Sequence, residues 1–211
     1  MGPVNLEWTS MSDLSSRVRT VCVYCGSSAV ADAAFLDAAS TFGERLAAAD
    51  IRLVYGGGGT GLMGAVARAT HEAGGRVLGV MPEFLRQPEG LYDAVDTVIV
   101  GSMHARKLLM FEESDAFVVL PGGIGTLEEI VELLSWRRLE LHRKPIVFYN
   151  PESFWEPLFA LLQHTVTLGL SPPAIMQTWR APQSIDEVLP AVMEMAAAEG
   201  PRIELHIGQR I

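Results

Sequence analysis

A doubly wound α/β domain is what this chain predicts, and three observations carry the expectation. Short apolar runs without helical spacing, such as Phe117–Leu120, alternate with longer stretches whose apolar residues recur every three or four positions. Three of the short runs end in Gly- or Ser-rich turns, at Gly26, Gly56 and Gly122. The 211 residues suffice for one domain with a sizeable core. Strands alternating with helices mean a mostly parallel sheet with helices on both faces, so a single Rossmann-like domain is expected.

The elements follow in order. Val21–Cys25 is the first strand, and Gly26, Ser27 and Ser28 make a small polar turn. Ala33–Ala49 is alanine-rich, with Phe35, Ala39, Phe42 and Leu46 on one helical face. Ile51–Tyr55 is the second strand and Gly56–Gly61 a glycine turn. Leu62–Ala73 is a helix, stopped by Gly74 and Gly75. Arg76–Met81 is the third strand, Pro82–Leu91 a polar loop and Thr97–Val100 the fourth strand. Met103–Glu113 is a helix. Phe117–Leu120 is a buried strand, and after Pro121 the residues Leu127, Ile130, Val131 and Leu134 mark the next helix. Pro145–Tyr149 is a sixth strand and Phe154–Leu168 a helix. Ile175–Trp179 is expected as an edge strand and Ile185–Ala198 as the terminal helix. The expected organisation is a loose leader over 1–16, one Rossmann-like domain over 17–200 and a tail over 201–211.

Composition excludes several classes. The net charge is -9, and no Lys/Arg cluster is large enough for a duplex-binding surface. Arg137, Arg138, Arg143 and Lys144 are the densest basic group, and they fit a helix C-terminus and its loop. No apolar run approaches the ~18 residues of a spanning helix, and the first residues lack a secretory pattern. Neither nucleic acid nor membrane is an expected partner. Cys22 and Cys25 have C-x-x-C spacing. On a strand, residues three apart point to opposite faces, which makes a shared zinc or a disulfide awkward, and further zinc ligands of matching spacing are missing. Two reduced thiols fit a cytoplasmic protein.

Three motifs carry chemistry. In the first, strand, glycine turn and helix follow one another over Asp115–Trp136. The first turn of a helix offers unpaired N–H groups and partial positive charge, which suits a phosphate. Gly122, Gly123 and Gly125 lack the Cβ that would block approach. The plain alternative is a well-capped helix, with Thr126 and Glu129 as a capping box. In the second, Gly56, Gly58 and Gly61 fit G-x-G-x-x-G, with Glu83 as the acidic residue of a dinucleotide site. The motif follows the second strand rather than the first, which argues against that reading. In the third, Met103–Lys107 opens a helix, and the adjacent Arg106 and Lys107 point about 100° apart. All three turns lie at carboxyl ends of strands, where ligands bind in such sheets.

The order of letters adds a resemblance. PGGIGTLEE at Pro121–Glu129 is similar to the PGGxGTxxE signature of the LOG ("Lonely Guy") phosphoribohydrolases, long mislabelled as lysine decarboxylases. CGSS at Cys25–Ser28, GGGGTGLMGAVA at Gly56–Ala67 and MHARK at Met103–Lys107 match as well, so the resemblance spans roughly Val21 to Ala181. It implies cleavage of the N-glycosidic bond of N6-modified adenosine 5′-monophosphates, with Arg106 and Glu129 as the catalytic pair. It implies nucleotide contacts at Ser27, at Gly57, Gly58, Gly59 and Thr60, at Glu83, and at Met103, Arg106 and Lys107. Within the signature it implies contacts at Gly122, Gly123, Ile124, Gly125, Thr126, Leu127, Glu128 and Glu129, and beyond it at Ser135. Glu83 is also the candidate to protonate the leaving base. Neither cofactor nor metal is implied, and the partner is a second copy of the chain that completes the base pocket. Leu133, Leu134, Trp136 and Leu139 are the expected surplus apolar surface for that dimer. Ile124 stands where plant members carry Tyr or Phe, and Ser135 where many relatives carry Thr.

Two other classes use the same phosphate cradle: a binding protein for a nucleotide or for molybdenum cofactor, and a dinucleotide-dependent oxidoreductase. The Arg106/Glu129 pair favours turnover over simple binding. A pyridoxal-dependent decarboxylase needs a Schiff-base lysine, and the only lysines, Lys107 and Lys144, lack a supporting motif.

Overall fold

The computed structural model describes residues 18–199. The expected leader over 1–16 and tail over 201–211 lie outside them. Six strands form one wholly parallel sheet: β1 Thr20–Tyr24, β2 Arg52–Tyr55, β3 Val77–Pro82, β4 Asp96–Val100, β5 Ala116–Val119 and β6 Ile146–Phe148. Their order is β4-β3-β2-β1-β5-β6. The chain runs outward from β1 to β4, then crosses back to place β5 and β6 on the other side of β1. The strand order therefore reverses between β1 and β5, where doubly wound sheets open a crevice at their carboxyl ends.

Alternation along the strands builds two cores. Val21 and Val23 of β1 and Cys25 just after it, with Leu53 and Tyr55 of β2 and Ala116, Val118 and Leu120 in and beside β5, face one side. Helices α1 (Ala33–Ala48), α2 (Gly61–Glu72) and, after the last strand, Ile185–Ala198 cover them. Cys22, Tyr24, Val54, Phe117 and Val119 face the other side. There the helices are α4 (Met103–Glu112), α5 (Ile124–Arg138) and α6 (Glu156–Thr167), with α3 (Arg86–Glu89) a single turn after β3 and Ile185–Ala198 numbered α7. Cys22 and Cys25 are both buried. They lie in opposite cores, as period-two alternation requires. Among the described residues no group of three or more His, Cys, Asp or Glu converges to hold a metal. No described helix is long and apolar enough to cross a membrane.

Three local expectations are corrected. Residues 175–179 do not form an edge strand. Pro173–Gln177 is a 3-10 turn, and only Arg180 pairs with β6, in a single bridge to Val147. Pro172 and Pro173 offer no N–H to a ladder and their fixed φ suits a helical start. The Pro82–Leu91 loop contains a 3-10 turn, Glu83–Leu85, followed by α3. Of the four apolar residues expected to be surplus, Leu133, Leu134 and Trp136 pack in the chain's own core, and only Leu139 is exposed.

Beneath α5, His142 is buried with both ring nitrogens engaged. Nε2 donates to the Leu133 carbonyl at 3.1 Å, and Nδ1 accepts from the Lys144 N–H at 3.2 Å. Burial, with the nearby Arg137 and Lys144 charges, outweighs the Leu133 carbonyl and pushes the imidazole pKa down from 6.5 to about 4. Between those values the unfolded chain binds a proton that the folded one refuses, so stability falls as pH drops from about 6.5 to about 4. At ~1.4 kcal/mol per unit this is worth about 3 kcal/mol. His142→Gln, which keeps a donor for Leu133, is expected to show a shallower acid-side loss of urea midpoint than the parent. Identical slopes would assign the acid sensitivity to other groups.

Candidate active site

The site is organised by one residue at the carboxyl end of β1. The Gly26 N–H donates to the Pro121 carbonyl at 3.1 Å, and the Gly26 carbonyl accepts from the N–H groups of Leu62 and Met63 at 3.0 and 3.3 Å. Thr60 Oγ1 donates to the Ser27 carbonyl at 2.8 Å. The three turns read from the sequence thus meet at the switch point. Their roles differ, however. The first N–H groups of α2 are occupied by Gly26. Gly58 bridges Leu91, the Gly59 N–H donates to Gly90 at 2.7 Å, and the Gly59 carbonyl accepts from Arg68 at 2.9 Å. Gly57 has φ +84, a conformation that favours glycine, and packs on Met81. This run chiefly fastens the loop after β3 to the sheet.

The open helix end is that of α5. Its N-cap is Gly123, and no side chain caps it. The first N–H groups of a helix have no intrahelical acceptor, so those of Ile124, Gly125 and Thr126 are presented outward. A Cβ on Gly123 or Gly125 would meet nothing within 4 Å, whereas one on Gly122 would lie 2.2 Å from Thr126 Oγ1. Gly122 therefore lets Thr126 pack down, and Gly123 and Gly125 leave the approach clear. Because the helix starts at Ile124, Thr126 is its third residue and Glu129 sits in the second turn. The capping-box alternative is overturned, since a box needs Thr126 at the N-cap itself. Ile124 is 84% exposed, while Leu127 is half-buried.

Ser102 caps α4 by accepting from the Ala105 N–H at 3.1 Å, which fixes where Arg106 enters the protein. Arg106 is 4% exposed. Its Nη2 donates to the Gly56 carbonyl at 3.2 Å, Nη1 lies 4.0 Å from the Met103 sulfur, and Nε is buried with no hydrogen-bond partner. A Cβ on Gly56 would fall 1.9 Å from Nη2, so only glycine admits the guanidinium here. A buried donor left without an acceptor is costly and suits a site that receives an oxygen-rich ligand. Lys107 turns the other way and forms ion pairs with Glu128 and Glu132 of α5.

Glu129 is 8% exposed. Its charge reaches the buried groups of β1. Burial raises the Cys22 thiol well above its ordinary pKa, with Glu129 next in effect, and burial, Cys22, Glu129 and Glu132 do the same to the Tyr24 phenol. Glu83 is exposed, 3.9 Å from Arg86, and Ser135 is exposed too. Ser135 lies about 16 Å along α5 from its first residue, at 1.5 Å per residue, so the fold does not bring it to the open helix end. His104 is exposed. Reasoning from sequence marked Gly26 and Gly56 as turn residues without their partners, and it overlooked Tyr24. The glycine run contained Gly56, but its pairing with Arg106 spans 50 positions and leaves no local signal.

A family described as "Possible lysine decarboxylase" matches residues 63–192. The chain is 45% identical to "Probable cytokinin riboside 5'-monophosphate phosphoribohydrolase LOGL5" of Oryza sativa subsp. japonica, over 82% of this chain and 71% of that one. It is 37% identical to "Cytokinin riboside 5'-monophosphate phosphoribohydrolase LOG3" of Arabidopsis thaliana, over 90% and 89%. A solved structure, the molybdenum cofactor binding protein from Rippkaea orientalis, shares the fold with TM-score 0.65 and 23% identity, over 85% of this chain and 98% of that one. With signature, fold and relatives in agreement, the chain belongs to the LOG family.

Proposed function

We propose that this chain is a nucleoside 5′-monophosphate phosphoribohydrolase, which hydrolyses N6-modified adenosine 5′-monophosphates, and AMP itself, to free base and ribose 5-phosphate. The observation that carries this is the uncapped start of α5 beside two buried ionisable residues, Arg106 and Glu129. The 5′-phosphate takes the outward N–H groups of Ile124, Gly125 and Thr126, where the helix dipole favours an anion. Water adds to C1′ of the ribose as the C1′–N9 bond breaks, and one water proton ends on the base. Breaking that bond builds oxocarbenium-like charge on the sugar. Glu129 stabilises that charge and orients the water. The Arg106 guanidinium stays protonated and positions ribose and carboxylate. Two cysteines buried in opposite cores fit a reducing compartment, so we place the reaction in the cytoplasm.

The active unit in this proposal is a homodimer. Ile124, Val131 and Leu139 are 84%, 54% and 53% exposed, and Ser135 is exposed between the last two. Their spacing of seven, four and four puts them on one face of α5. A second copy on that face buries the apolar stripe and places its own Ser135 near the nucleotide.

Three outcomes test these readings. Removing the 5′-phosphate is expected to abolish turnover, and Gly123→Val to abolish AMP binding with the fold retained, because a side chain there meets only the ligand. Equal release of base from adenosine and AMP would overturn the phosphate assignment. Glu129→Gln is expected to keep AMP binding but lose at least ~10²-fold in turnover, the scale of one lost electrostatic contact. Arg106→Ala should fall similarly, with the double variant little worse. More than a tenth of parental turnover in Glu129→Gln would remove Glu129 from the chemistry. Light scattering at micromolar concentration is expected to show a dimer that Val131→Glu dissociates with loss of activity, and an active monomer would count against the shared site.

A further inference from the structure

Lys107 is adjacent to Arg106, yet its surroundings are unlike those of a phosphate ligand. It is 7% exposed, and its ammonium bonds Glu128 Oε1 and, at 2.9 Å, Glu132 Oε2. Burial disfavours the charged ammonium, but hydrogen bonds to Glu128 and Glu132 outweigh it and raise its pKa. One cation between two carboxylates leaves a local charge of −1, which repels a phosphate dianion at close range. The two carboxylates are four residues apart on α5, hence on one face of it. Arg106 precedes Lys107 on α4, and Glu129 follows Glu128 on α5. One turn further along both helices, Phe111 meets Trp136 edge-on with ring centroids 5.2 Å apart. The two helices are therefore joined by an apolar contact away from the site and an ionic one beside it.

We propose that Lys107, Glu128 and Glu132 form a positioning clamp that sets α4 against α5, so that Arg106 and Glu129 are held in register across the site, and that Lys107 is not a phosphate ligand. The assignment rests on the phosphoribohydrolase reading for its kinetic readout alone.

The test is a cycle of Lys107→Met against Glu128→Gln combined with Glu132→Gln. AMP affinity is read by calorimetry, base release by kcat and KM, and Tm by thermal unfolding. A clamp predicts that both arms lower kcat at least about tenfold with KM and AMP affinity within about threefold. It also predicts that combining them costs little more than either, and that Lys107→Arg is largely rescued. A phosphate ligand predicts the reverse: Lys107→Met weakens AMP about tenfold or more, while removing the carboxylates leaves kcat intact or tightens AMP. That result overturns the proposal. If the parent protein releases no base from any nucleotide, the functional reading fails. The clamp is then judged by Tm, where non-additive losses support it and additive losses refute it.

Discussion

The site depends on one glycine backbone. Gly26 gives its N–H to the turn after β5 and its carbonyl to the first turn of α2, so the strands on either side of the reversal are tied to the end of β1 by main-chain bonds. Such bonds leave no freedom of side-chain rotamer to correct an error. They also use up the dipolar end of α2, which by itself is as good an anion site as the start of α5. Of these two glycine-bearing helix starts, that of α2 is occupied by Gly26 and that of α5 is left uncapped. An anion held by helix N–H groups would therefore meet one open end rather than two.

Around this frame, charge is distributed in two different ways. Arg106 is admitted to the interior because Gly56 has no side chain, and its Nε remains without a hydrogen-bond partner. Lys107, one residue on, is doubly engaged. Adjacent helical residues diverge by about 100°, so a dipeptide of two cations delivers one into the crevice and one to the neighbouring helix. The divergence sends one cation of a short basic sequence to Gly56 and the other to the carboxylates of α5.

Much of this was legible in the sequence. Alternating apolar periods predicted the parallel layering, and the strict two-residue period on β1 separated Cys22 from Cys25. Glycines after Pro121 marked the open helix end. The failures have physical causes. The capping box at Thr126, the alternative that the letters also allowed, is ruled out because the N-cap lies three residues earlier, at Gly123, which has no side chain to offer. An edge strand was read at 175–179 from its apolar residues, and the preceding prolines decided the matter against it. The burial of Leu133, Leu134 and Trp136 could not be anticipated by counting apolar residues, since α5 lies against α4 and the 3-10 turn at Pro173–Gln177. Contacts between Arg106 and Gly56 or between Lys107 and α5 link distant segments, and no local pattern encodes them.

The open start of α5 has a consequence for divergence. Its donors are peptide N–H groups, which every residue type except proline supplies, and the side chain between the two unobstructed glycines, that of Ile124, points almost wholly into solvent. On the proposed reading, anchoring and selectivity are written in separate alphabets, one in the main chain and one in a side chain. Exchanging residue 124 for an aromatic, a small or a polar group would alter what can lie against it and leave the N–H donors as they were.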